Sequence, residues 1–246
     1  METILAFDAV HAGYGRIHVL DGLSFEVGRG TVLGVIGPNG SGKTTMLNAI
    51  TGMIRLDSGA IRMEGRDISR LSPDARCRLG IGRTFQIPRP FARMTVFENV
   101  LVSAVFGAGQ SEAAGREPAL EVLRFTGLYD KRDVVSGRLT LLDLKRLEIA
   151  RAIVARPKLL LLDEVAAGLT SAEVGDVMQI VARLKAAGFT ILWIEHIIEA
   201  MVRATDRLMC IAEGRCAVEG EPMRVMESQI VRELYLGSEE TADASD

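Results

Sequence analysis

Gly37-Pro38-Asn39-Gly40-Ser41-Gly42-Lys43-Thr44 is the stretch on which the fold turns. It fits the pattern G-x-x-x-x-G-K-[ST] and lies between Thr31 to Ile36, a short apolar run that reads as a buried strand, and Lys43 to Thr51, which continues as a helix. Glycines let the backbone curl until consecutive N–H groups point at one anion. The helix opening at Lys43 adds the positive end of its dipole. Phosphate is the natural occupant. Lys43 would place its ammonium on the β- and γ-phosphates, and Thr44 would offer its hydroxyl to Mg²⁺.

Such a loop needs a metal and water site on a second strand. Leu159-Leu160-Leu161-Leu162-Asp163-Glu164 supplies four apolar residues and then two carboxylates at a strand's carboxyl end, where α/β sheets place ligands. Asp163 would hold Mg²⁺ indirectly, and Glu164 would orient and polarise the attacking water.

The flanking sequence has a consistent rhythm. Ile4 to Val27 alternates apolar and polar residues in short runs broken by Gly13, Gly15 and Asp21-Gly22, a hairpin-rich β region. Asp57-Ser58-Gly59 reads as a turn into a strand over Ala60 to Met63, and Ser72 could cap a helix with Pro73 at its first position. Between about Phe91 and Arg156, the segments Val96 to Phe106, Pro118 to Phe125 and Leu141 to Ala155 carry apolar residues at helical spacing, an inserted helical subdomain. Lys158 to Asp163, Thr190 to Glu195 and Arg207 to Ala212 then read as strands, separated by helices over Ser171 to Ala187 and Ile197 to Arg203. The expected organisation is one domain over residues 1–237 and a small, acidic, disordered tail over 238–246.

Composition narrows the function class. The chain has 246 residues, 48% of them hydrophobic, enough to bury a core. A formal net charge of −3 leaves no basic surplus for a phosphate backbone, so no nucleic-acid partner is expected. No apolar run reaches the roughly 18 residues of a membrane span, and the start Met1-Glu2-Thr3-Ile4 lacks the basic opening of a signal peptide. The expected location is the cytoplasm. Cys77, Cys210 and Cys216 lack metal-binding spacing and read as reduced thiols.

What lies between and after the two motifs resembles one group of P-loop NTPases, the ABC ATPases, over about residues 4 to 237. Thr84-Phe85-Gln86 resembles their Q-loop, Leu147-Glu148-Ile149-Ala150-Arg151-Ala152 the helix after their signature motif, and Ile194-Glu195-His196 their H-loop. Gly82 to Gln86, Arg93 to Asn99, Arg146 to Arg151 and the ending Tyr235-Leu236-Gly237 resemble the ATPase subunits of branched-chain amino acid importers.

The resemblance implies a mixed RecA-like α/β core sheet with an N-terminal antiparallel β subdomain and the helical insertion. It implies ATP and Mg²⁺ as ligands and extends the nucleotide-binding set to Thr45. Tyr14 sits where the family stacks an aromatic on adenine, Gln86 would sense Mg²⁺ and the membrane partner, and His196 would contact the γ-phosphate. The implied assembly contains a second ATPase subunit, identical or paralogous, and two transmembrane permease subunits. A periplasmic binding protein takes part indirectly, and the chain is peripheral on the inner face of the membrane. The segment Arg83 to Arg93, with three arginines, Pro88, Pro90 and no acid, would line the groove for a permease helix.

The signature departs from the family's Leu-Ser-Gly-Gly-Gln. Here it reads Leu139-Thr140-Leu141-Leu142-Asp143. In the family this segment meets the γ-phosphate of ATP bound to the opposite subunit. Thr140 keeps a hydroxyl suited to an N-cap, Leu142 adds a side chain where backbone approaches phosphate, and Asp143 adds a negative charge that nonetheless suits the helix dipole. Val165 replaces the usual proline, and Thr170 stands where the D-loop often carries Asp or Asn. Hydrolysis is expected to be slower or more partner-dependent, with ATP binding kept. The rivals are an ATP-binding switch with little turnover and a non-transport ABC ATPase.

Overall fold

A computed structural model describes residues 2–240, and these divide into two compact units, Met1–Pro73 with Leu192–Asp246, and Asp74–Ile191. In the first unit, β1 (Thr3–Tyr14) and β2 (Ile17–Gly28) form the expected antiparallel hairpin. β4 (Leu56–Met63) pairs along the other edge of β1, and β5 (Arg66–Asp67) completes a four-stranded sheet in the order β2-β1-β4-β5. The alternation puts Phe7 opposite Phe25, and their rings stack at 4.6 Å between centroids. Asp57-Ser58-Gly59 is no turn before the strand, as the sequence suggested, but part of β4 itself. The pairing of β1 with β4 slips between Asp8 and His11, and Gly59 fills the slip with φ 84°. A Cβ there would stand 2.3 Å from the Ala9 carbonyl oxygen, so only glycine fits.

The same unit carries the strands around the phosphate loop. β3 (Val32–Ile36) runs parallel to β9 (Arg207–Ala212), β10 (Arg215–Gly220) returns antiparallel on the far edge of β9, and β8 (Ile191–Ile194) flanks β3 on its other side. β3 and β8 are buried along their full length, which is why they read as unbroken apolar runs. β10 was not expected, since its half-buried residues show no apolar run. Helices α1 (Lys43–Thr51), α7 (Ile198–Ala204), α8 (Pro222–Glu227) and α9 (Gln229–Glu240) complete the unit. α9 continues three residues past Gly237, where the acidic tail was expected to begin. The rest of that tail lies outside the described residues.

The second unit pairs β6 (Ile81–Arg83) in parallel with β7 (Leu159–Asp163) and holds most of α2 (Pro73–Arg78), with α3 (Val96–Ala108), α4 (Glu112–Thr126), α5 (Leu141–Ile153) and α6 (Ser171–Ala186). α3, α4 and α5 bury a common core of Val96, Val100, Ala104, Leu123, Leu147 and Ala150, among others. A capping box at Thr95 and Glu98 starts α3. α4 begins six residues before Pro118, the expected start. The Ser111 hydroxyl accepts the Ala114 N–H as an N-cap, and Gly115 lets α4 approach α3 so closely that a Cβ would lie 3.1 Å from Cβ of Ala104. Packing thus carries the helix through the proline, which forfeits one internal hydrogen bond.

Candidate nucleotide-binding and catalytic residues

In the first unit the loop from Gly37 to Gly42 joins β3 to α1 as the motif requires. Gly37 has φ 149°, and a Cβ on it would stand 2.2 Å from the Ile211 carbonyl oxygen at the end of β9. Gly42, at φ 108°, occupies the N-cap position of α1. Asn39 and Gly40 are exposed, whereas Ser41, Lys43 and Thr45 are buried. The Lys43 ammonium donates to the carbonyls of Gly37 at 2.7 Å and Pro38 at 2.8 Å, so the loop folds around its own lysine. Thr44 faces solvent in the first turn of α1.

Ser41 tests whether this loop fits a nucleotide. Its Oγ is buried with no hydrogen-bond partner among the described residues. An unmet hydroxyl in a ring of backbone N–H groups at a helix start suits an anion with several acceptor oxygens. Beside the loop, the Tyr14 hydroxyl accepts from Asn48 Nδ2 of α1 at 2.8 Å, which fixes a half-exposed ring. On the other side the Gly37 N–H donates to the Tyr235 hydroxyl of α9 at 3.1 Å. The sequence marks Tyr235 only as part of a resembling ending, because nothing along the chain ties a residue that far on to the first glycine of the loop. His196 is exposed just after β8, its N–H on Glu195 Oε2.

In the second unit the strand pair β6 and β7 places the carboxylates. Asp163 ends β7, nearly buried, and takes a hydrogen bond from Arg83 of β6 at 2.9 Å. Burial pushes its carboxyl above the usual aspartate range, opposed by the Arg83 guanidinium. The next residue, Glu164, has φ 46°, an uncommon setting for a non-glycine residue. Gln86 Nε2 donates to Glu164 Oε2, so the structure brings together two residues chosen from separate motifs.

One buried residue that joins the candidate site segments has no motif to mark it. Lys145, only 2% exposed within α5, donates from Nζ to the carbonyls of Gln86 at 2.6 Å and Glu164 at 3.0 Å. It ties the helix after the signature to both segments at once. The available signal was weak: a lysine four residues before the apolar Ile149, within a segment read only for its apolar spacing.

Thr140 is the N-cap of α5, and its hydroxyl accepts the Asp143 N–H at 3.3 Å, as its residue type suggested. Thr140 and Leu141 are exposed, and Asp143 is buried. Among the described residues, no three or more His, Cys, Asp or Glu stand close enough to hold a metal by themselves.

The ABC transporter family model matches residues 20–167, more than half the chain. The chain belongs to the ABC transporter family. It is 35% identical, over 95% of its length and 97% of the relative's, to the probable branched-chain amino acid transport ATP-binding protein LivG of Methanocaldococcus jannaschii. It is also 32% identical, over 96% of its length and 98% of the relative's, to the lipopolysaccharide export system ATP-binding protein LptB of Haemophilus influenzae. Among solved structures, the ADP conformation of an ATP-binding cassette of an ABC transporter superposes with a TM-score of 0.87 at 34% identity, covering 96% of this chain and all of that one. The fold is the ABC ATPase fold, with an antiparallel sheet and a mixed sheet, and the chain is an ATPase. No helix among the described residues is long and apolar enough to cross a membrane.

Proposed function

We propose that this ABC ATPase powers the uptake of branched-chain or related amino acids through separate permease subunits, from the inner face of the cell membrane. The observation that carries the reading is near full-length similarity to LivG, joined to an intact phosphate loop and an intact Glu164–Gln86 pair. Lys43, released from its own loop carbonyls, holds the β- and γ-phosphates, and N–H groups between Asn39 and Thr45 with the Ser41 hydroxyl hold the remaining oxygens. Tyr14, set by Asn48, stacks on adenine. Thr44, Gln86 and Asp163 would hold Mg²⁺, which neutralises phosphate charge when bound. Glu164 accepts a proton from the attacking water, and His196 donates to the γ-phosphate.

Residues 1–237 act as one ATPase domain with the helical insertion at about 91–156. A second ATPase subunit, identical or paralogous, closes head to tail with it, its ATP meeting Thr140. A periplasmic binding protein delivers cargo to the permeases. Permease helices dock in a groove of about 350 Å³ within the second unit, lined by Arg83, Phe85, Phe91, Phe106 and Arg151. Arg89 and Arg93 of the expected segment are not among its lining residues.

Deleting the chain from its host should abolish uptake of labelled leucine, isoleucine and valine. The parental chain should restore it and Glu164→Gln should not. Undiminished uptake in the deletion strain would sink the importer reading, and lost lipopolysaccharide export in its place would favour the LptB-like role. The altered signature favours a second reading, an ATP-binding switch, in which the assembled transporter binds ATP without sustained phosphate release.

A further inference from the structure

The substituted signature residue Asp143 is engaged on both carboxylate oxygens. It is 2% exposed at the third position of α5. Its Oδ2 takes a hydrogen bond from the Thr140 hydroxyl at 3.1 Å and another from the Lys131 ammonium, and Oδ1 lies 3.7 Å from Arg146 Nη1. Arg146 in turn reaches Asp176 of α6 at 2.9 Å. A threonine hydroxyl has one proton to donate, and here that proton goes to Asp143. The positive end of α5 likewise faces a carboxylate already in place.

We propose that Asp143 is an internal anion that holds the signature segment in a self-satisfied state. The γ-phosphate presented by a second ATPase subunit must displace it from the Thr140 hydroxyl before the two subunits close. Asp143 is thus a positioning residue that raises the ATP concentration needed for closure, and Lys131 moderates it by neutralising its charge. Lys131 is about half exposed, so losing its ammonium leaves the fold intact while uncovering the Asp143 charge toward an incoming phosphate. The inference rests on the reading that Thr140 meets ATP bound to the opposite subunit.

The test uses the purified full-length chain carrying Glu164→Gln, with ATP-driven dimerisation followed by light scattering and nucleotide affinity of the monomer followed with a fluorescent ATP analogue. Asp143→Asn keeps the side-chain size and removes the charge. It should lower the ATP concentration for half dimerisation by about fivefold, the scale of one charge at a helix start. Lys131→Met should raise it, and should have no effect once Asp143→Asn is present. Monomer affinity should stay unchanged throughout. If Asp143→Asn fails to fold, the Lys131→Met shift alone carries the test. An unchanged or raised midpoint in folded Asp143→Asn, or an unchanged or lowered one in Lys131→Met, overturns the proposal and leaves the dimer reading standing. ATP bound normally with no dimer in any variant overturns both.

Discussion

Lys145 places a charge where little water reaches it, and two carbonyls, those of Gln86 and Glu164, receive that charge. These two bonds go to backbone, so the ammonium sets where the Gln86 and Glu164 segments lie. Glu164 is already in an unfavourable backbone setting, and a turn held under strain relaxes when its tie is cut. Lys145→Met keeps the length of the side chain and removes the tie. It should lower kcat about tenfold or more, as small misplacements of a general base do, while nucleotide affinity stays within about twofold. Steady-state phosphate release and nucleotide titration separate the two, and equal losses in both would show Lys145 to be merely structural.

Element by element, legibility followed local signals. β3 with α1 was readable to within a residue because an apolar run, a glycine loop and a helix follow one another without competing cues. β7 with its two carboxylates was equally plain. α4 was misjudged at its start because the strongest local cue, Pro118, is overruled by the Ser111 cap and by contact with α3, and the latter is invisible along the chain. β10 lacked a pattern of its own, and its pairing with β9 is a tertiary fact. Among the candidate site residues, the phosphate loop and the Asp163-Glu164 pair follow from local motifs, whereas Lys145, Tyr235 and the Arg83 partner of Asp163 depend on contacts between distant segments.

α6 shows how a local signal becomes a measurable property. Thr170, the departing D-loop residue, is its N-cap and shares a capping box with Glu173. Hydrogen bonds from the Thr170 N–H, and next from its hydroxyl, hold the Glu173 carboxyl below the usual glutamate range. A depressed carboxylate stabilises the fold above its unfolded pKa, and that contribution is lost as pH falls through the folded value. Melting temperature should therefore fall less steeply for Glu173→Gln than for the parent between about pH 5 and about pH 3. Parallel curves would remove the capping box from the acid response.

Across the molecule, the phosphate loop belongs to one compact unit, and the carboxylate strand, the signature segment and the groove lined by Phe85, Phe91 and Phe106 belong to the other. Phe106 is 78% exposed at the groove, and in the proposed assembly a permease helix covers it. Phe106→Asp should leave the melting temperature and the isolated chain's ATPase rate near the parental values while abolishing both membrane recruitment and uptake. Normal recruitment of this variant would place the docking surface elsewhere.

The central proposal is that Glu164 activates the attacking water. Phosphate release by purified Glu164→Gln, measured beside its affinity for ATP, tests that role most directly. Turnover should fall by about a hundredfold or more, the usual loss for a general base, with ATP affinity kept within about threefold. Phosphate release at the parental rate would contradict it.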